Sequence, residues 1–131
     1  MSGEIEKLDK FLKKKKVDKK IKELAKKYEG KKVLAYGAGQ MADFIVNSYD
    51  ISPLNVIGFS DSKYGNEKKE FNGYQTFSPA EIQDLNPDVI VLFVMEPKFV
   101  LEFFDFYYPE LANIEKVSLA ERTFWDKLLG N

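Results

Sequence analysis

The stretch "VLAYGAGQMADF", residues 33–44, decides how the rest of the chain is read. Val33, Leu34, Ala35 and Tyr36 form a short apolar run with no polar break, as in a strand buried on both faces. Gly37, Ala38 and Gly39 then supply a bare turn, after which Met41, Ala42, Phe44, Ile45 and Val46 recur at helical spacing. Gly37 allows a tight turn, Gly39 removes a Cβ from the path of an approaching group, and Ala42 lets the helix close on the strand. The free N–H groups at the helix start favour an anion, so this G-x-G-x-x-A pattern suits a phosphate. The plainer alternative is a tight strand-to-helix turn that binds nothing.

Outward from this turn the chain alternates strand and helix patterns. Residues 32–36 read as the first strand, 40–49 as a helix and "NVIGFS" (55–60) as the second strand. "DSKYGNEKKEFNG" reads as a polar, glycine-punctuated loop. "YQTF" (74–77) is a third strand, ended by "SPAE", where Ser78, Pro79 and Glu81 open a helix running to about residue 85. "DVIVLFV" (88–94) is the most hydrophobic strand, followed by a helix over 97–108. A brief strand near 116–117 precedes a last helix opened by Ser118 with Glu121. This order predicts a three-layer, Rossmann-like α/β fold: a parallel sheet with helices on both faces. Ligands in such sheets sit beyond the carboxyl ends of the strands, where the strand order reverses. Asp61 follows the second strand 24 residues after Gly37, near the spacing at which an acid meets a ribose hydroxyl or a base edge.

Composition narrows the chemistry. The 131 residues contain neither Cys nor His, which excludes thiol nucleophiles, imidazole bases and the usual zinc sites. The absence of Cys agrees with a reducing compartment, and no apolar run reaches the roughly 20 residues of a membrane span, so a cytoplasmic protein is expected. Charge is uneven. Residues 1–32 carry 13 Lys against 6 acids, and the remainder carries 7 basic against 15 acidic residues, within a net charge of -1. Ile5, Leu8 and Leu12, then Val17, Ile21, Leu24, Ala25 and Tyr28, recur at helical spacing, so the lysines read as the wet side of amphipathic helices. The expected organisation is a basic helical arm over 1–30 and a nucleotide-binding domain over 31–131. Neither nucleic acid nor a membrane span is expected as a partner.

The segments "VLAYGAGQMADFIVN" and "VIGFSDSKYGNEKKEFNGYQTFSPAEIQDLNPDVIVLF" resemble the small Rossmann-like domains of bacterial sugar-modifying proteins. Two are similar: the nucleotide-sugar-binding N-terminal domain of polysaccharide-biosynthesis proteins, and the C-terminal domain of sugar C-methyltransferases. The resemblance covers residues 32–101. It implies that Gly37, Gly39 and Gln40 hold phosphate and that Asp61 meets a ribose or base. The expected contact set is Gly37, Gly39, Gln40, Met41, Ala42, Asp61, Ser62 and Val94, with NAD or a nucleotide sugar as the ligand. Neither hexapeptide repeats for acetyl transfer nor a zinc-binding cysteine cluster is present, so no residue is assigned as catalytic. The expected function is a nucleotide-sugar or dinucleotide-binding module in surface-polysaccharide or sugar metabolism. A small NAD-dependent oxidoreductase or methyltransferase component needing a partner chain is one alternative, and a nucleotide-sensing interaction module another. A homodimer or a partner sugar-modifying enzyme is the expected assembly.

Other constellations carry less. "YGNEK" (64–68) and "YEGKK" (28–32) match the Y-x-x-x-K spacing of short-chain dehydrogenases, but neither lies on a suitable helix. The pairs Glu67 with Glu70 and Glu102 with Asp105 fit solvated faces better than acid–base machinery. In "FVLEFFDFYY" (99–108), Phe99, Val100, Phe103, Phe104 and Tyr107 are expected to cover the sheet. Phe106 and Tyr108 are left for the N-terminal helices or a homodimer seam.

Overall fold

A computed structural model describes residues 2–129. The fold is mixed α/β, built on one six-stranded sheet that is parallel except at one edge. Two helices, α1 (Ser2–Lys14) and α2 (Val17–Lys27), precede β1 (Val33–Tyr36), α3 (Gln40–Ser48) and β2 (Val56–Ser60). Then come β3 (Glu70–Phe71), β4 (Tyr74–Phe77), α4 (Ile82–Leu85), β5 (Val89–Leu92), α5 (Pro97–Tyr107), β6 (Glu115–Ser118) and α6 (Phe124–Leu128). The strand order is β3-β4-β2-β1-β5-β6. The chain moves from β1 outward to β2 and β4, then returns to the far side of β1, so the order reverses between β1 and β5.

Alternation along β1 divides the core. Val33 and Ala35 belong to a buried cluster with Leu12 of α1, Ile21 and Leu24 of α2, and Ala42 and Ile45 of α3. Leu34 and Tyr36 belong to a second cluster with Ile82 of α4 and Phe104 of α5. Both faces of β1 and β5 are covered, which explains their unbroken apolar sequences. The N-terminal segment is part of this packing, since Leu8, Phe11, Leu12, Val17, Ile21, Leu24 and Tyr28 are all buried. Ile5 is exposed. Tyr28 donates its hydroxyl to the Glu115 carboxylate at 2.5 Å, tying the end of α2 to β6, so the tyrosine of "YEGKK" is a structural strut.

Several local expectations change. The loop "DSKYGNEKKEFNG" contains a strand, because Asn72 and Gly73 both take positive φ (50° and 86°) and fold Glu70–Phe71 back onto Tyr74–Phe77. Ser118 does not open a helix. It ends β6 opposite Leu92, and the cap of the last helix comes five residues later, at Thr123, whose N–H is accepted by Asp126 at 2.8 Å. Along α5, Phe104 is buried and Val100 and Phe103 are partly so, but Phe99 and Tyr107 are 63% and 62% exposed rather than laid on the sheet. The opening of the α4 region agrees with its sequence, since Glu81 accepts the Ser78 N–H at 2.8 Å and Asn86, in the left-handed region, ends the helix.

Candidate functional site

The carboxyl ends of β1, β2 and β5 meet around the glycine turn. Gly37 is buried with φ +111°, and its N–H donates to the Ser60 carbonyl at 2.8 Å. A Cβ there would stand 2.7 Å from Val94 Cγ1 and 3.0 Å from the Phe93 carbonyl oxygen, so the turn after β1 is pressed against the end of β5. Gly39 is different. Its backbone (φ −94°, ψ −157°) suits any residue, and a Cβ placed on it meets nothing within 4 Å. It is the N-cap of α3 and no side chain caps that helix start. The first-turn N–H groups of an α-helix have no intrahelical partner, so an uncapped start beside open space is chemically disposed toward an anion.

Asp61 organises the other side of the turn. One carboxylate oxygen accepts the Ala38 N–H at 2.8 Å and the other accepts the Lys63 N–H at 3.1 Å. Lys63 Nζ in turn donates to the Ala38 carbonyl at 2.6 Å. Asp61 and Lys63 thus clasp both backbone polar groups of one residue, fixing Ala38 just before Gly39. The Ala38 N–H is committed to this clasp, and the donors left to a ligand are those of Gly39 and the first turn of α3. Gln40 is exposed at the first helical position. Met41 and Ala42 are buried in the core, where Ala42 brings α3 close to the sheet.

Beside the clasp lies an open cleft of about 250 Å³ lined by Tyr36, Asp61, Ser62, Val94, Phe99, Val100 and Phe103. Tyr36 is nearly buried and packs edge-on against Phe104, with ring centroids 4.8 Å apart. Burial pushes its hydroxyl up to about 12, the Asp61 charge adds to this, and hydrogen bonding from Ser62 opposes it. The phenol therefore stays protonated across the physiological range and serves as a donor, not a base. The cleft combines hydroxyls, a carboxylate and apolar ring faces, a set suited to holding a hydroxylated or flat ring.

The described residues carry a larger cleft of about 740 Å³ between α2 and the chain after β6, lined by Lys15, Lys20, Glu23 and Lys27 together with Ser118 and Glu121. It lies beside the edge strand β6, away from the reversal between β1 and β5, and mixes both signs of charge.

A family model described as "C2185-like, N-terminal" matches residues 29–100, more than half of the chain. The chain belongs to the C2185-like N-terminal family. No curated protein and no solved structure matches the chain. The family's match runs from the end of α2 into α5, so it contains the glycine turn, the Asp61 clasp and Val94.

Of the residues singled out in the sequence, Asp61, Ser62 and Val94 line one cleft, and Gly37 and Gly39 form the turn beside it. Met41 and Ala42 contribute packing. Tyr36, Lys63, Phe99, Val100 and Phe103 were not read as site residues. Tyr36 carried a signal, being the one hydroxyl in an otherwise aliphatic strand immediately before the glycines. Lys63 carried none, because its contact is to a backbone carbonyl 25 positions away. Tyr64 closes the turn begun at Asp61, its N–H donating to the Asp61 carbonyl at 3.1 Å, and its ring lies under Lys63 Nζ at 5.6 Å.

Proposed function

We propose that this C2185-like domain is a three-layer Rossmann-like module that binds a nucleotide, a nucleotide sugar or an NAD-type dinucleotide, and that it is a binding unit, not a catalyst by itself. The observation that carries the reading is Gly39: a glycine required neither by its backbone angles nor by its neighbours, at an uncapped helix start beside the reversal of strand order. Space that packing leaves unused, at a point where N–H groups are unpaired, is what a bound phosphate needs. Lys63, held against Ala38, adds a positive charge at the same turn. The neighbouring cleft is large enough for a ribose or base but not for a whole dinucleotide, so the remainder of the ligand would run along the exposed turn. With its carboxylate engaged by two backbone N–H groups, Asp61 has lone pairs left for one ligand hydroxyl.

The resemblance to sugar-modifying proteins supports a nucleotide sugar and a place in cytoplasmic sugar or surface-polysaccharide metabolism. The family's description as an N-terminal unit fits a module that delivers its ligand to another domain or chain. The test is a thermal-shift and calorimetric panel of NAD, NADP, S-adenosylmethionine and UDP- and dTDP-sugars. A ligand present at about 100 times its dissociation constant adds roughly 2.7 kcal/mol of apparent stability. One of these ligands should stabilise the parent chain, and Gly39→Val, which fills the open space, should abolish the effect. A parent chain that responds to no panel member at millimolar concentration would leave the turn as a purely structural device.

A further inference from the structure

The short helix α6 has its polarity reversed. Its inward residue is the buried Asp126, while Phe124, Trp125, Leu128 and the C-cap Leu129 are 70%, 65%, 62% and 68% exposed. At about 100° per residue these four fall within one arc of roughly 140°, so they form a single outward face. A surface helix of a globular domain normally buries such a face against the core. This helix is instead held from its polar side: Lys14 and Lys15 reach Asp126 at 2.7 and 2.5 Å, and Lys127 reaches Glu96 at 2.5 Å.

The two lysines that hold α6 belong to the corner between α1 and α2, where residues 10–20 contain seven Lys and one acid, Asp18. The other acids facing this corner are Asp9 and Asp126, both ion-paired to it, and Glu23 and Glu121, which share the larger cleft with Lys15 and Lys20. Lys10, Lys16 and Lys19 are exposed and have no acidic partner among the described residues. Each stands within about a turn of Lys14 or Lys15, so uncompensated positive charge flanks the base of the apolar face.

We propose that this face docks on an anionic lipid membrane, with Phe124, Trp125, Leu128 and Leu129 entering the headgroup region and the corner lysines meeting the lipid charges. The two chemistries together select the occupant. Protruding apolar side chains beside unpaired lysines bind such surfaces through buried apolar area plus electrostatic attraction, and tryptophan favours the boundary between headgroups and acyl chains. A nucleic acid would satisfy the lysines but leave Leu128 and Leu129 in water. A second copy joined through this face would set one lysine-rich corner beside another. The aromatic stripe on α5 carries Glu102 and Asp105 and is not part of this surface.

Trp125 is the chain's one tryptophan, so its fluorescence reports this face directly. The test is co-sedimentation and fluorescence titration of the full chain with vesicles of phosphatidylcholine alone and of phosphatidylcholine with about 30% phosphatidylserine, which supplies a negative surface potential. The chain should pellet with the anionic vesicles and not with the neutral ones. Trp125 emission should shift to the blue on binding, and raising the salt to about 0.5 M should release the chain. Each lysine near such a surface strengthens binding about fivefold, so Lys10→Gln, Lys16→Gln and Lys19→Gln together should weaken it roughly 100-fold. Phe124→Ser with Leu128→Ser should weaken it roughly tenfold or more and leave the melting temperature that of the parent, because both side chains are exposed. The proposal is overturned by failure to pellet with anionic vesicles, by equal binding to neutral ones, by binding without a change in Trp125 emission, or by indifference to either set of substitutions. A blue shift that appears without vesicles as the protein concentration rises assigns the face to a second copy and overturns it as well.

Discussion

Replacing Gly37 and Gly39 separately by alanine should produce opposite outcomes from the same chemical change. At Gly37 the new Cβ is forced into a φ of +111°, which costs an L-residue roughly 1–3 kcal/mol. It also stands 2.7 Å from Val94 Cγ1 and 3.0 Å from the Phe93 carbonyl oxygen. Val94 can rotate but the backbone oxygen cannot yield cheaply, and overpacking of this kind costs about 1–3 kcal/mol. The sum, about 2–5 kcal/mol, is a large share of the roughly 5–15 kcal/mol that holds a domain together. At about 3–5 °C per kcal/mol for a chain of this size, Gly37→Ala should lower the melting temperature by roughly 10–20 °C. At Gly39 the angles suit alanine and nothing lies within 4 Å. The entropic gain of about 0.4–1 kcal/mol from restraining the unfolded chain is offset by the poorer N-cap preference of alanine, leaving a net change within about 1 kcal/mol. Thermal melts followed by circular dichroism decide the matter. A Gly37→Ala chain melting within about 2 °C of the parent, or a Gly39→Ala chain falling as far as Gly37→Ala, would refute the division of this turn into a packing glycine and a spare one.

Three further outcomes are expected. Asp61→Ala removes the acceptor of the Ala38 and Lys63 N–H groups and should destabilise the fold by roughly 1–3 kcal/mol in chemical denaturation, with Asp61→Asn recovering little because an amide has one acceptor oxygen. Tyr28 and Tyr36 are both pushed up to about 12, chiefly by burial. Their folded values lie above the unfolded one near 10, so the stability they contribute is complete below about pH 10 and is lost as pH rises toward 12; Tyr28→Phe should blunt this alkaline loss and cost about 1 kcal/mol at neutral pH. Asp126 is held far below the usual carboxylate range by Lys14 and then Lys15, at 2.7 and 2.5 Å, and by Thr123. Its contribution is present above about pH 4 and falls away as the pH drops below that value, so Asp126→Asn should detach α6 at neutral pH, read as increased Trp125 mobility in fluorescence anisotropy.

The parts of the fold that were legible in the sequence were those with one dominant local cause. The strands at β1 and β5 announced themselves as unbroken apolar runs, and Ser78-Pro79-x-Glu81 fixed the start of the α4 region. What escaped depended on tertiary choice. Glu70–Phe71 is too short to show a period, and only the Asn72-Gly73 turn between it and β4 hinted at a hairpin. Ser118 with Glu121 and Thr123 with Asp126 are equivalent capping patterns, and pairing of Ser118 beside Leu92 selects the second. Which side of α5 meets the sheet was ambiguous because aromatic residues ring most of the helix; packing of Phe104 against Tyr36 settles it. At the candidate site the glycines and Asp61 were visible by spacing, whereas the clasp made by Lys63 is a long-range contact with no sequence signature.

The most direct test of nucleotide binding at the glycine turn is a two-dimensional amide NMR titration of the full chain with a UDP-sugar and, separately, NAD. The account predicts that one of them shifts the amides of Gly39, Gln40 and Met41 most, with Asp61, Ser62 and Lys63 next, and that Gly39→Val removes these shifts while leaving the remaining spectrum in place. Shifts centred instead on Lys15, Lys20 and Ser118 around the larger cleft, or no shifts with either ligand at millimolar concentration, would contradict it.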